Sequence, residues 1–260
     1  MINSLWTAKT GMQAQQTQLD VISHNLANVS TSGFKRGQVV FEDLMYQNLR
    51  QVGANSSEQT QLPTGLQLGL GVRAVSTSRD FSQGKQQQTG ENLDMAIDGN
   101  GFFQVQMPDG TVGYSRDGAF KLSSAGQLVT SSGYPLAGGI TIPTGTPISD
   151  ITISKSGQVS VKAGTGSNVV GQIELASFIN PAGLDPRGQN LFSESPASGA
   201  PQTGSPGANG LGSIWQGYLE SSNVNVVQEL VNMIQTQRAY EMNSKAIQTS
   251  DQMLQKLGQL

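Results

Sequence analysis

The side chains that could do chemistry are few. In 260 residues there is no cysteine and one histidine, His24. A disulfide framework and a Cys-based zinc site are thereby excluded. A Ser/His/Asp triad would have to run through His24 alone. His24 sits beside Asn25 in a helical pattern next to an apolar seam, so a helix-surface or interface residue is expected there, not a general base. Asp98-Gly99-Asn100-Gly101-Phe102 begins like an acidic calcium loop. The EF-hand pattern would need Asp or Asn at 102, Gly at 103 and Glu at 109, and the chain has Phe102, Phe103 and Asp109. A hairpin turn is expected instead. Gly65, Gly69 and Gly71 lack the G-x-G-x-x-G spacing and the following helix of a phosphate cradle. Carboxylates are scattered, and because a glycosidase pair meets in space, no particular pair is singled out. No metal and no cofactor is expected.

The composition narrows the partners. Charged residues make up 13% of the chain, about half the roughly 25% of ordinary globular domains. The 15 Lys+Arg are dispersed and the net charge is -3. Neither a nucleic-acid footprint nor a polybasic membrane anchor fits that balance. The longest uncharged stretch, Leu122 to Ser149, is rich in Gly, Ser, Thr and Pro, so no membrane insertion is expected. The first residues lack the basic start and continuous apolar core of a cleaved signal peptide. If the protein is exported, it is expected to go without one.

The elements that must position these residues fall into three regimes. Leu5, Met12, Leu19 and Leu26 repeat every seven residues, with no Pro between Asn3 and Asn28. That is a helix close to a coiled-coil seam. Val226, Met233, Tyr240, Ile247 and Leu254 repeat the pattern, with Ser222 and Asn225 as candidate N-caps. The charges Glu229, Arg238, Glu241, Lys245, Asp251 and Lys256 read as this helix's solvated face. With no third helix to complete a bundle, the two seams must pair with each other, with other subunits, or both. The middle shows short alternating β segments punctuated by Asp-Gly and Asn-Gly turns. Glu194 to Ser213 reads as a flexible loop or linker, and Tyr46 to Gly71 as an irregular connection.

The expected fold class is α+β: long N- and C-terminal helices pairing as a coiled-coil-like domain, and a β-rich middle of short strands. The expected domains are 1-30 with 222-260 for assembly, 31-71 as an extended linker, and 72-221 as the β-rich domain. Each seam is thin, so its burial within one monomer competes poorly with backbone entropy. The helices are accordingly expected to become ordered mainly on assembly.

Asn25-Leu26-Ala27-Asn28, followed by Thr31, Gly33, Phe34 and Lys35, resembles the N-terminal signature of the axial proteins of the bacterial flagellum, rod and hook. Ser222 to Ile247 resembles their C-terminal signature, and Leu93-DMAIDGNGFFQV and Phe178-INPAGLDPRGQNLF match their middle. The likeness spans essentially the whole chain. Tyr46 to Gly71 is similar to a segment of the distal-rod members that hook subunits lack. The resemblance implies a non-catalytic shaft subunit in the flagellar basal body, between periplasm and outer membrane. Its implied partners are itself as a helical homopolymer, proximal rod proteins, hook protein, and the P-ring and L-ring proteins. The nine seam residues would form subunit interfaces, and the 46-71 segment would stiffen the shaft by bridging neighbours. Absence of Cys suits a chain threaded unfolded through an export channel into an oxidising compartment. Low charge suits a shaft turning inside a ring. The competing readings are a secreted β-solenoid-type polysaccharide-degrading enzyme and an adhesin-like binding module; both leave the terminal seams without a use.

Overall fold

The computed structural model describes residues 2–51, 55–57, 60–61, 64–143, 145–163 and 166–258. Pro63, in the connection discussed above, lies outside them. Helix α1 (Ile2–Ala27) and helix α2 (Val226–Leu257) bracket a middle built of short strands. The fold is α+β, with the helices where the seven-residue repeats place them. Asn225 caps α2: its side chain accepts from the backbone N–H of Val227 and Gln228, which satisfies two otherwise orphaned donors.

Contacts divide the chain into two units. The first comprises residues 1–27, 37–78 and 225–260; the second comprises 28–36 and 79–224. The stretch 31-71, read above as a linker, is divided between them at residue 36.

In the first unit α1 packs on α2, and Gly37–Asp43 pairs with Val72–Arg79. The side chains buried here are mostly small or polar: Ala8, Ala14, Ile22 and Asn25 from α1, Glu229, Thr236 and Ser250 from α2. Thr236 and Ser250 donate their hydroxyls back to Asn232 and Ala246 carbonyls of their own helix, so they cross-link nothing. Glu229 corrects the solvated-face reading, since it is buried, whereas Arg238, Glu241, Lys245, Asp251 and Lys256 are exposed. The 46–71 connection is also more regular than its composition suggests. Tyr46–Arg50 pairs antiparallel with Leu66–Gly69, because Tyr46, Leu49, Leu66 and Leu68 supply β-forming side chains among the Gln and Gly.

The second unit holds a conventional core. Met95, Ile97, Phe103, Phe120, Leu128, Ile142, Ile151, Val159, Ile173, Leu175 and Ile214 pack together. A smaller aromatic cluster holds Phe102, Tyr114, Phe178 and Phe192 with Phe81 against it; its rings meet edge to face, as between Tyr114 and Phe178 at 4.7 Å. The largest sheet has six strands, in the order Asp185–Gly188, Leu191–Ser193, Val112–Ser115, Phe102–Gln106, Leu175–Ser177, Gln202–Gly204. Its neighbours all run antiparallel.

Two turn readings need correction. Asp98 to Gly101 does turn, but it closes no hairpin: Met95–Asp98 pairs with Ser213–Gln216, while Phe102–Gln106 pairs with Val112–Ser115. The turn passes the chain from one sheet to another. The 194–213 stretch is not a free linker either. Gln202–Gly204 forms the sheet edge against Leu175–Ser177, Ser198 and Leu211 are buried, and Ser195 and Ser198 satisfy one another's backbone. Small polar residues favour loops in isolation, but here they let the chain lie flat on the sheet edge.

Candidate functional site

Two arrangements stand out, one in each unit. In the first it is apolar surface. Among the described residues, the exposed large apolar side chains lie almost all in this unit; the exceptions are Val112, Ile148, Val169 and Ile179. On α2, Val226, Val227, Leu230, Val231 and Ile234 are exposed within nine positions. Met45, 82% exposed, stands with Tyr46, Leu49, Leu66 and Leu68 on the 46–69 strand pair, and Val40, Phe41 and Val75 are exposed nearby in sequence. Large exposed apolar sets of this kind mark surfaces that meet another molecule.

None of the nine seam residues is fully buried. Leu5, Met12, Leu19, Leu26, Met233 and Ile247 are half-buried, and Val226, Tyr240 and Leu254 are exposed. The repeat thus selects the flank of the helix pair. It misses the neighbouring outward face, to which Val227, Val231 and Ile234 belong at i, i+4, i+7 spacing; that second stripe stops at Glu241, so it is too short to stand out as a repeat.

In the second unit the arrangement is a sealed polar cluster. Lys35 donates to Glu220 at 2.6 Å and to the Ser82 carbonyl at 2.8 Å. Arg116 donates to the other Glu220 oxygen at 3.3 Å and to the Gly99 carbonyl at 2.8 Å, and its guanidinium lies over the Phe102 ring. The Gly84 N–H also donates to Glu220. The Lys35 and Glu220 side chains are each 1% exposed. Burial pushes the Lys35 pKa below its ordinary value, with the Glu220 carboxylate opposing; burial likewise lowers Arg116 against the opposing pull of Glu220. Two cations share one anion here.

The signature residues of the N-terminal segment are explained by this cluster and by the turn that feeds it. Asn25 exchanges two hydrogen bonds with the Gly37 backbone, both 2.8 Å, and so fixes the returning chain against α1. After α1, Thr31 donates to the Asn28 side chain and Phe34 N–H to the Thr31 carbonyl, while Leu26 is half-buried and Ala27 exposed. Gly33 has φ +68, and a Cβ there would meet the Asp117 nitrogen at 2.5 Å. Only glycine fits that left-handed, close approach. Its N–H donates to the Glu220 carbonyl. Phe34 is buried, with the Arg79 guanidinium 5.9 Å above its ring, and Lys35 reaches the carboxylate. Sequence reasoning marked Lys35 but missed Glu220 and Arg116, because partners 185 and 104 positions apart leave no local pattern. A buried cation in an otherwise charge-poor chain was the available signal.

Chemistry of the enzymatic kind finds little to work with. One polar hollow, about 410 Å³ and open, is lined by Gln88, Thr89, Glu91, Asn92, Thr152 and Gln216 among others. It offers amides and hydroxyls around a single carboxylate. His24 is exposed on α1. Among the described residues no group of three or more His, Asp or Glu could hold a metal ion, and no helix is long and apolar enough to cross a membrane.

Against known proteins, three family models match. "Flagella basal body rod protein" covers residues 5–35, "Flagellar hook protein FlgE/F/G D1 domain" covers 96–161, and "Flagellar basal body rod FlgEFG protein C-terminal" covers 216–260. The chain is 58% identical over 262 aligned residues to the flagellar basal-body rod protein FlgG of Buchnera aphidicola subsp. Schizaphis graminum, with both chains covered in full. It is 50% identical to that of Borreliella burgdorferi over 98% of this chain and 97% of the relative. For Bacillus subtilis the figures are 40%, 99% and 98%. The buried Lys35 cluster, the turn at Gly33 and the paired terminal helices are thus built from segments that these models span, and the chain belongs to the flagellar basal-body rod protein FlgG family.

Proposed function

We propose that this chain is a non-catalytic building block that polymerises helically with its own copies into the distal rod of the flagellar basal body. The observation that carries the reading is the near-inversion of the first unit: apart from Ile22 its fully buried side chains, among the described residues, are small or polar, while large apolar ones stand exposed. A helix pair of that kind is incomplete alone. Burying Val227, Leu230, Val231 and Ile234 against neighbouring copies would recover about 25 cal/mol for each Å² of apolar surface covered. The half-buried seam residues would hold the pair together at its flank, while Val226, Tyr240 and Leu254 would face other subunits. The 46–69 strand pair would lie on an adjacent copy and stiffen the shaft.

Axial neighbours follow from the family: proximal rod subunits on one side and hook subunits on the other. We assign the P and L rings as the partners surrounding the shaft, between periplasm and outer membrane. The alternatives named above have no support among the relatives, which are rod proteins along their full length. A β-solenoid would also need stacked parallel strands, whereas the pairs in the second unit's large sheet are antiparallel.

Electron microscopy of the purified protein, concentrated stepwise, tests the proposal. Fibres or tubes with a helical repeat are the expected result. A species that remains monomeric in sedimentation at every concentration would overturn it, as would turnover of peptidoglycan fragments by the purified chain.

A further inference from the structure

The chain passes between its two units after residues 27, 36, 78 and 224. Within the second unit, the residues flanking three of these passages close a ring of hydrogen bonds. The Arg36 N–H donates to Asn223 Oδ1 at 2.8 Å. The Asp80 N–H donates to the Arg36 carbonyl at 2.9 Å. The Asn223 Nδ2 donates to the Asp80 carbonyl at 2.8 Å, with further reach to the Ser82 carbonyl and hydroxyl at 3.2 and 3.1 Å. One amide side chain therefore holds two other chain segments through both its acceptor and its donor. The strands are also brought close by design of the sequence: a Cβ on Gly84 would collide with the Ser221 carbonyl oxygen. Behind the ring lies the Lys35–Glu220–Arg116 cluster, which holds the residues next to Arg36 and three positions before Asn223.

We propose that Asn223 is a clamp, a positioning residue that makes the second unit's three exits a single rigid mount, with the buried cluster as its anchor. A rotating shaft would gain from this. Three strands bound to one another resist twist that one free tether would absorb, because each added hydrogen bond removes a soft backbone degree of freedom. The two substitutions that separate its roles differ. Aspartate keeps the acceptor for Arg36 but turns a carboxylate towards the Asp80 and Ser82 carbonyls; alanine keeps neither contact. The consequence for an assembled rod rests on the proposed function, whereas the clamp itself is a property of the single chain and is tested there.

Because the chain lacks cysteine, spin labels can be placed cleanly through Lys121→Cys in the second unit and Lys245→Cys in the first, both exposed positions. On dilute monomer, Asn223→Ala is expected to broaden the distribution of label-to-label distances about twofold or more, with Asn223→Asp at least as broad. The second unit should still unfold in one cooperative transition, lowered only by the hydrogen bonds Asn223 loses. Ser82→Ala, which removes only the hydroxyl contact, should leave the width unchanged. An unchanged width in Asn223→Ala, or an unsubstituted chain already as broad as the variant, would overturn the clamp. In the unsubstituted chain the Arg36 and Asp80 amides, corrected for intrinsic exchange, should share one opening constant, since the clamp opens the ring as a unit; opening constants differing by more than about tenfold would overturn it whatever the variant does. Failure of the chain to form fibres would instead count against the polymer reading and leave these monomer readouts intact.

Discussion

The two units bury opposite kinds of side chain. In the second, Met95, Phe103, Ile173 and Leu175 are sealed from solvent, and the charges that join them, Lys35, Arg116 and Glu220, are sealed with one another. In the first, the buried side chains among the described residues are Ala, Asn, Glu, Thr and Ser with the single large aliphatic Ile22, while Val227, Leu230, Val231 and Ile234 of α2 are exposed. The second unit buries a conventional core of its own, whereas the first leaves a large apolar face open. On the proposed function that face is what neighbouring copies cover, so stability and assembly would be carried by different residues.

Breaking the comparison begins with its largest effect. Phe103→Ala removes a fully buried ring that packs edge-on to Phe120 at 5.2 Å, and should cost about 3–5 kcal/mol of second-unit stability in denaturant unfolding. Leu230→Ala should cost the monomer within about 0.5 kcal/mol, as an exposed substitution, yet raise the critical concentration for polymerisation. Ile234→Asp should block polymerisation while the second unit's unfolding curve stays in place. If Leu230→Ala destabilised the monomer as much as Phe103→Ala, the outward face would already be covered within the chain, and the contrast between the units would fail.

How far the residues alone lead differs between the units in the same way. The helices were legible because a seven-residue repeat is local and long, and the Asn225 cap is set by its own next three residues. Strand pairing was not. Met95–Asp98 joins Ser213–Gln216 across more than a hundred positions, and the Asn100-Gly101 dipeptide looks the same whether it closes a hairpin or redirects the chain. Composition misled at 194–213 for a physical reason: Ser, Gly and Pro lower the local preference for a strand, while the open sheet edge beside Leu175–Ser177 supplies a template that local preference does not see. Glu229 misled for the converse reason, since a carboxylate on an amphipathic helix is ordinarily solvated.

The buried cluster sharpens the comparison with an intermediate effect. Glu220→Gln would leave two buried cations without their anion and should cost about 3–5 kcal/mol. Lys35→Met should cost less, about 1–2 kcal/mol, because Glu220 keeps Arg116 and the Gly84 N–H and the Ser82 carbonyl keeps Asn223 Nδ2. Chemical denaturation of both variants checks the order. A larger loss from Lys35→Met would mean that the lysine's packing, and not the charge balance, sets the cluster's worth. Gly33→Ala should fall near 2 kcal/mol, from a left-handed backbone carrying a Cβ against Asp117, with no change in the first unit's helical signal.

The smallest effect concerns pH and belongs to the second unit alone. Burial lowers the Lys35 pKa from its ordinary 10.5, while Glu220 and Asp80 raise it and Arg116 lowers it further. The unfolded chain keeps the ammonium proton up to that ordinary value, and the folded chain releases it sooner. Between the two values the unfolded state binds more protons, so the Lys35 contribution to stability improves as pH rises. Below the folded value both states are protonated, and the desolvation penalty on the buried cation stands in full. The difference in unfolding free energy between the unsubstituted chain and Lys35→Met, followed from neutral pH towards 10.5, isolates this behaviour from every other lysine and tyrosine. The unsubstituted chain should gain on the variant across the alkaline end of that window, and stay level with it on the neutral side. A gap that widens against the unsubstituted chain with rising pH would mean that the Glu220 contact outweighs burial at Lys35.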